Sequence, residues 1–179
     1  MLEALITSKT RIKLMLKFFM NANSTGYLRG LEAEFGESTN AIRQELNRFE
    51  EAGLLVSDQK ANRKVFRANV QHPLFPDIQS LVRKYVGMDK IIERVINNLG
   101  RPEEVYLIGD LAVGKDSNEI NLLIIGNDID LDYLETLVEK TRQLVSRTIH
   151  YAVFTPQEFR LQLPHLNRQK MLKVWENNH

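Results

Sequence analysis

The stretch from Ser38 to Ser57, STNAIRQELNRFEEAGLLVS, constrains this chain most, because its pattern is satisfied by a helix whose two faces have different jobs. Ile42, Leu46 and Phe49 recur at the four-then-three spacing of a buried helical stripe, and Ala52, Leu54 and Leu55 carry the apolar run past the helix end. Ser38 suits the N-cap, and Gly53 suits the left-handed residue that turns the chain into a strand. The opposite face carries Thr39, Asn40, Arg43, Gln44 and Asn47, side chains able to read base edges and grip phosphates. The plainer alternative is an amphipathic helix with a merely solvated polar face.

The flanking segments decide between these readings. Ser8 is the expected N-cap of a first helix, whose Ile12, Leu14, Met15, Leu16, Phe18, Phe19 and Met20 supply the floor of a small trihelical core. Asn21 to Gly26 reads as a turn, and Tyr27 to Phe35 as a short second helix with Leu28, Leu31 and Phe35 inward, stopped by Gly36. The link to the third helix is then short and contains glycine, as a helix-turn-helix requires. Leu54 to Ser57 and Lys64 to Ala68 read as strands around a loop from Asp58 to Arg63. Lys60, Arg63 and Lys64, with Arg67 a further possibility, would face phosphates or a minor groove.

A helix, a Gly-Leu-Leu, a short strand and a basic turn together resemble the recognition helix and wing of winged helix-turn-helix regulators of the arsenical-repressor (ArsR) type. The residues that carry the resemblance are NAIRQELNRFEEAGLLVS. The resemblance implies double-stranded DNA as partner. Charge agrees in its distribution and not in its sum. The net charge is +1, but residues 1 to 70 hold 11 Lys and Arg against 8 Asp and Glu, while the remainder is net negative. The absence of cysteine excludes disulfides, thiolate metal sites and cysteine catalysis, including cysteine-based metal sensing. The histidines at 72, 150, 165 and 179 are too far apart for a local ligand pair, so no metal and no cofactor is expected. The first fifteen residues lack a signal peptide's apolar core, and nowhere do eighteen apolar residues run together; the expectation is a soluble, cytoplasmic protein with no membrane partner.

After Asn69 the chain passes a Pro-punctuated joint, HPLFP at 72 to 76. Residues 77 to 99 hold apolar side chains at 78, 81, 82, 85, 88, 92, 95, 96 and 99, one helical face carried across Gly87. The expectation is either one helix kinked at Gly87 or two in succession, building a homodimer interface or docking on the second domain. Beyond Gly100-Arg-Pro the pattern becomes α/β. Val105 to Ile108, Ile120 to Ile125 and Thr148 to Phe154 read as strands, and Leu131 to Leu144 as an amphipathic helix. Thr155-Pro-Gln-Glu158 reads as a capping box that starts another helix. The last segment, LPHLNRQKMLKVWENNH, is expected to be a helix docking through Leu166, Met171, Leu172 and Trp175, with a frayed end.

IGDLAVGKDSNEINLLIIG, residues 108 to 126, resembles the minimal nucleotidyltransferase domain of the polymerase-β type. That family pairs a Gly-Ser turn, which brings backbone amides to nucleotide phosphates, with carboxylates on neighbouring strands that hold Mg²⁺. Here Gly109 occupies the glycine and Asp110 the serine position, while Glu119 and Asn121 fall where two aspartates belong. His150 or Tyr151 lies near the remaining ligand position, and neither is acidic. The resemblance therefore implies a fold kept as scaffold without catalysis.

The expected fold class is α+β: a winged-helix DNA-binding domain over 1–72, a helical connector for dimerisation over 73–100, and over 101–179 a small α/β nucleotidyltransferase-like domain with a mixed sheet. The expected function is transcription regulation by a dimer, not an enzyme. Ser38, Thr39, Asn40, Arg43, Gln44, Asn47, Lys60, Arg63 and Lys64 would contact DNA, and Gly109, Asp110, Glu119 and Asn121 would form the degenerate nucleotide site. The alternatives are an active nucleotidyltransferase acting on a protein or small molecule, and a module that binds a small effector or a protein partner.

Overall fold

A computed structural model describes residues 2–177; Met1, Asn178 and the histidine at 179, with the expected frayed end, lie outside the described residues. The chain is α+β and divides into two compact units, residues 1–85 with 114–116 and residues 86–113 with 117–179. Among the described residues no helix is long and apolar enough to cross a membrane.

The first unit begins with α1 (Leu2–Leu5) and α2 (Lys9–Met15), the latter capped by the Ser8 hydroxyl and prolonged by a π-helical turn over Leu16–Met20. Every apolar residue expected on this floor, from Ile12 to Met20, is buried. Next come β1 (Thr25–Tyr27), α3 (Leu28–Phe35) and α4 (Thr39–Glu51), followed by β2 (Leu55–Lys60) and β3 (Arg63–Ala68). The three strands form an antiparallel sheet in the order β1-β3-β2. Gly36, at φ 63°, closes α3, and Ser38 caps α4 by accepting from the Ala41 N–H. Gly53, at φ 73°, follows the last turn of α4, and Asn69 ties down that turn by donating to the Gly53 carbonyl at 2.8 Å.

Two expectations are corrected in this unit. Thr25 to Tyr27 is a strand and not the end of a turn, and the helix starts at Leu28 with only Leu31 fully buried. The glycine at 26 that reads as a turn serves packing instead: a Cβ there would come within 2.9 Å of the Leu31 side chain. The hairpin loop is also shorter than expected. Register pairs Lys60 with Arg63, leaving only Ala61 and Asn62 in the turn, with Ala61 at φ 50°. Charged residues at the tip extend the strands because ladder pairing uses the backbone while their side chains stay in water.

Over 75–99 the second of the two expected arrangements is found: α5 (Phe75–Val86) and α6 (Met88–Arg94) are separate helices, split by Gly87 at φ 91°. Positions 82, 88, 95, 96 and 99 are buried in a single copy, and Phe75, Val86 and Ile91, outside the expected stripe, join them.

In the second unit β4 (Pro102–Ile108), β5 (Glu119–Gly126), β6 (Thr148–Phe154) and β7 (Met171–Glu176) form a mixed sheet in the order β6-β5-β4-β7, with β5 and β6 parallel. Val105, Leu107, Ile120, Leu122, Ile124 and Ile149 are fully buried on one side of the alternation, with Leu134 and Val138 of α7 (Leu131–Arg142). On the other side Leu123 and Ile125 pack with Phe159 of α8 (Pro156–Gln162), which begins at the expected capping box. The C-terminal helix expected over 163–179 is not formed. Its Met171 to Glu176 is a strand antiparallel to β4, placing Trp175 opposite Val105. Val174 and Trp175 favour extended backbone, and an unpaired β4 edge supplied the partner that overrides the helical reading.

The α4 stripe is buried in the core of the first unit. We expect Leu46→Ala, at a site 1% exposed, to destabilise the protein by about 2–5 kcal/mol, read as an early loss of helical signal on thermal unfolding. Asn47→Ala, on the exposed face one residue on, should stay within about 0.5 kcal/mol of wild type; equal effects would contradict the assigned faces.

Candidate functional site

The outward face of α4 follows from what holds its inward face. Ile42, Leu46 and Phe49 are buried, and so is one acid, Glu45. Arg11 of α2 grips the Glu45 carboxylate with two donors, Nε to Oε2 at 2.9 Å and Nη2 to Oε1 at 3.2 Å, and Arg48 adds a third at 3.2 Å. Burial pushes the Glu45 carboxyl up, but hydrogen bonds from Arg11 and Ser8 and the charges of Arg11 and Arg48 outweigh it, leaving the group below its ordinary value. With rotation of the helix fixed, Asn40, Arg43, Gln44 and Asn47 are exposed. Among the described residues their side chains make no hydrogen bond or ion pair, so their donors are unspent. Ser38 spends its hydroxyl on the helix cap, and Thr39 is half-buried.

Between α4 and the β2–β3 hairpin lies a groove of about 720 Å³. Arg43 and Asn47 line it from α4, Arg63 and Lys64 from the hairpin. Sequence reasoning missed Arg29 and Asn62, which line it too, over a floor of Leu28, Leu46 and Phe66. The signal for Arg29 was its place one residue into α3, visible only once β1 carries Tyr27 to the groove. The Arg63 guanidinium lies 4.6 Å above the centre of the Tyr27 ring, a contact that orders a hairpin cation without neutralising it. Lys64 is paired with Glu50 at 2.6 Å, and Arg67 meets Asp58 at 3.3 Å. Lys60 is exposed at the tip and does not line the groove; neither do Asn40 and Gln44. The result is a concave surface with four cations and two amides, suited to a polyanion whose edges offer hydrogen bonds.

The residues of the second motif lie on and beside β4 and β5. Gly109, at φ 84°, donates its N–H to the Lys170 carbonyl at 2.9 Å, and the Lys170 ammonium reaches Asp110 at 3.3 Å. Asn121 is in register with Ile108 on one side and His150 on the other, while Glu119 faces Thr148. The donor set at this rim is one carboxylate, one amide and one imidazole, with the Asp110 carboxylate engaged by an ammonium. Mg²⁺ demands several oxygen ligands in octahedral array with carboxylate charge, so these residues do not fit the ion pair of a nucleotidyl-transfer site. Among the described residues no group of three or more His, Asp or Glu side chains converges as a metal site.

No protein-family model matches the chain, and no curated protein matches it significantly. Among solved structures it is similar to a mutant of the toxin–antitoxin MntA–HpeT, at 14% identity and a TM-score of 0.39, over 51% of this chain and 74% of that one. A likeness so distant carries no function across.

The Glu45 cluster has a pH signature. A carboxyl depressed on folding contributes stability that is present above its unfolded value, near 4.5, and is lost as pH falls through the lower folded value. We expect Glu45→Gln to cost about 1–3 kcal/mol at neutral pH and to flatten the loss of stability between about pH 5 and 3, measured by urea unfolding at a series of pH values. Parallel curves for mutant and wild type would remove Glu45 from this role.

Proposed function

We propose that the protein is a DNA-binding transcriptional regulator whose first 72 residues are a winged helix of the ArsR-like kind, with α4 as recognition helix and the β2–β3 hairpin as wing. The observation that carries this reading is the groove in which unspent Arg43 and Asn47 of α4 meet Arg63 of the hairpin. The order of helices and strands in the first unit, with a three-stranded sheet ending in a basic hairpin, agrees with it. On this reading α4 enters the major groove, where Asn40, Arg43, Gln44 and Asn47 supply base contacts, each good bidentate pair being worth about 1–3 kcal/mol of discrimination. Ser38, Thr39, Lys60 and Arg63 hold phosphates, and Lys64 joins them once released from Glu50.

Binding as a homodimer belongs to the proposal and stands on the symmetry of duplex recognition, since the apolar stripe of the 73–100 connector is largely buried in one copy. Residues 101–179 are a nucleotidyltransferase-like scaffold without catalysis, free to receive a small effector or a protein partner. The misfit of Glu119, Asn121 and His150 to Mg²⁺ supports that reading over nucleotidyl transfer.

Fluorescence anisotropy with labelled duplex tests the proposal. Arg43→Ala should cost about 1–3 kcal/mol on a preferred sequence. Lys60→Ala/Arg63→Ala should weaken binding to every sequence and reduce the salt slope by about 2. Equal affinities for wild type and both variants, with no salt dependence, would end the reading.

A further inference from the structure

One cation of the groove is not available as it stands. Glu50, in the last turn of α4, takes the Ser57 hydroxyl on Oε1 at 2.5 Å and the Lys64 ammonium on Oε2 at 2.6 Å. Ser57 lies on β2 and Lys64 on β3, so a single carboxylate latches both hairpin strands to the helix. The Lys64 ammonium also lies over the Phe66 ring, 5.1 Å from its centre. The neighbouring hairpin pair differs in its acid and its distance: Arg67 and Asp58 are 3.3 Å apart with Asp58 56% exposed, whereas Glu50 is 31% exposed, the two cations being about half exposed alike. Ser57 fixes the second carboxylate oxygen, so Glu50 loses little further freedom in holding Lys64, and water competes with it less than at the Arg67 pair.

We infer that Glu50 is a positioning residue of the DNA interface: it sets the hairpin against α4 and withholds Lys64 from phosphate binding. The inference rests on the DNA-binding reading. A phosphate that takes Lys64 must first displace a carboxylate, so the cation released from the DNA is matched by one taken up at Glu50 and the exchange gives no net counterion release. Binding that depends only on phosphates is therefore weaker than the count of hairpin cations implies, while base contacts from Arg43 and Asn47 are untouched.

The test needs no knowledge of the operator, because it reads the non-specific part. The full chain and its Glu50→Gln, Lys64→Gln, Glu50→Gln/Lys64→Gln and Asp58→Asn variants are titrated onto a mixed-sequence duplex of about 30 base pairs between about 50 and 200 mM salt. Glu50→Gln should tighten binding by up to about eightfold at 0.1 M salt and steepen the logarithmic salt slope by about 0.9. Lys64→Gln alone should leave the slope at its wild-type value, and the double variant should return to it. Asp58→Asn should gain clearly less than Glu50→Gln.

Salt-dependent binding by wild type, with Glu50→Gln unchanged or weaker, or with an equal gain in Asp58→Asn, overturns the inference and leaves the DNA-binding reading standing. Absence of salt-dependent binding in wild type and every variant overturns both. Should Glu50→Gln fail to fold, Lys64→Gln still decides: a loss of about 0.9 in slope on its own means that Lys64 was never withheld.

Discussion

The first unit depends on one buried charge. An acid at 45 in a helix otherwise anchored by Ile42, Leu46 and Phe49 costs desolvation, and Arg11 and Arg48 must offset it. A hydrophobic residue would pack there without that debt, but hydrophobic contact is non-directional and tolerates rotation of the helix. A two-donor grip from Arg11 does not. The pair thus fixes which way Arg43 and Asn47 point, at a site where a turn of one residue would redirect every outward side chain.

The carboxylates of α4 divide the labour. Glu45 reaches back to α2 and sets the helix axis, while Glu50 reaches forward to Ser57 and Lys64 and sets the hairpin. The side chains that line the groove, Arg43, Leu46 and Asn47, belong to the same helix. The second unit shows the opposite economy. Beside its glycine turn at 109 the Lys170 ammonium reaches Asp110, and Asn121 of β5 stands in register with His150 of β6. The sheet there is held by buried Leu122, Ile124 and Val105 and needs no ion to keep its shape.

Much of this was legible in the sequence where local chemistry and packing agree. Ser8, Ser38 and Thr155 cap helices as their neighbours imply, Gly36 and Gly53 take left-handed backbone, and the floor from Ile12 to Met20 is buried as its pattern requires. The misses share a cause: they are decided by partners distant in the chain. The strand at Thr25 exists because β3 pairs with it, and Met171 to Glu176 is extended because it pairs along the edge of β4 that β5 leaves open. Arg29 and Asn62 were invisible as groove residues for the same reason, since only the folded sheet brings them to Arg43. The pairing of Lys64 with Glu50, fourteen residues apart, is likewise a product of the hairpin's register.

The central claim is that the outward face of α4 reads a DNA sequence. Selection of bound duplexes from a random-sequence pool by the purified chain, repeated with Arg43→Ala, tests it most directly. The account predicts one enriched motif for wild type, arranged as an inverted repeat, and loss of preference at a defined base pair for the variant. A pool that stays unenriched, or the same motif recovered by both proteins, would contradict it.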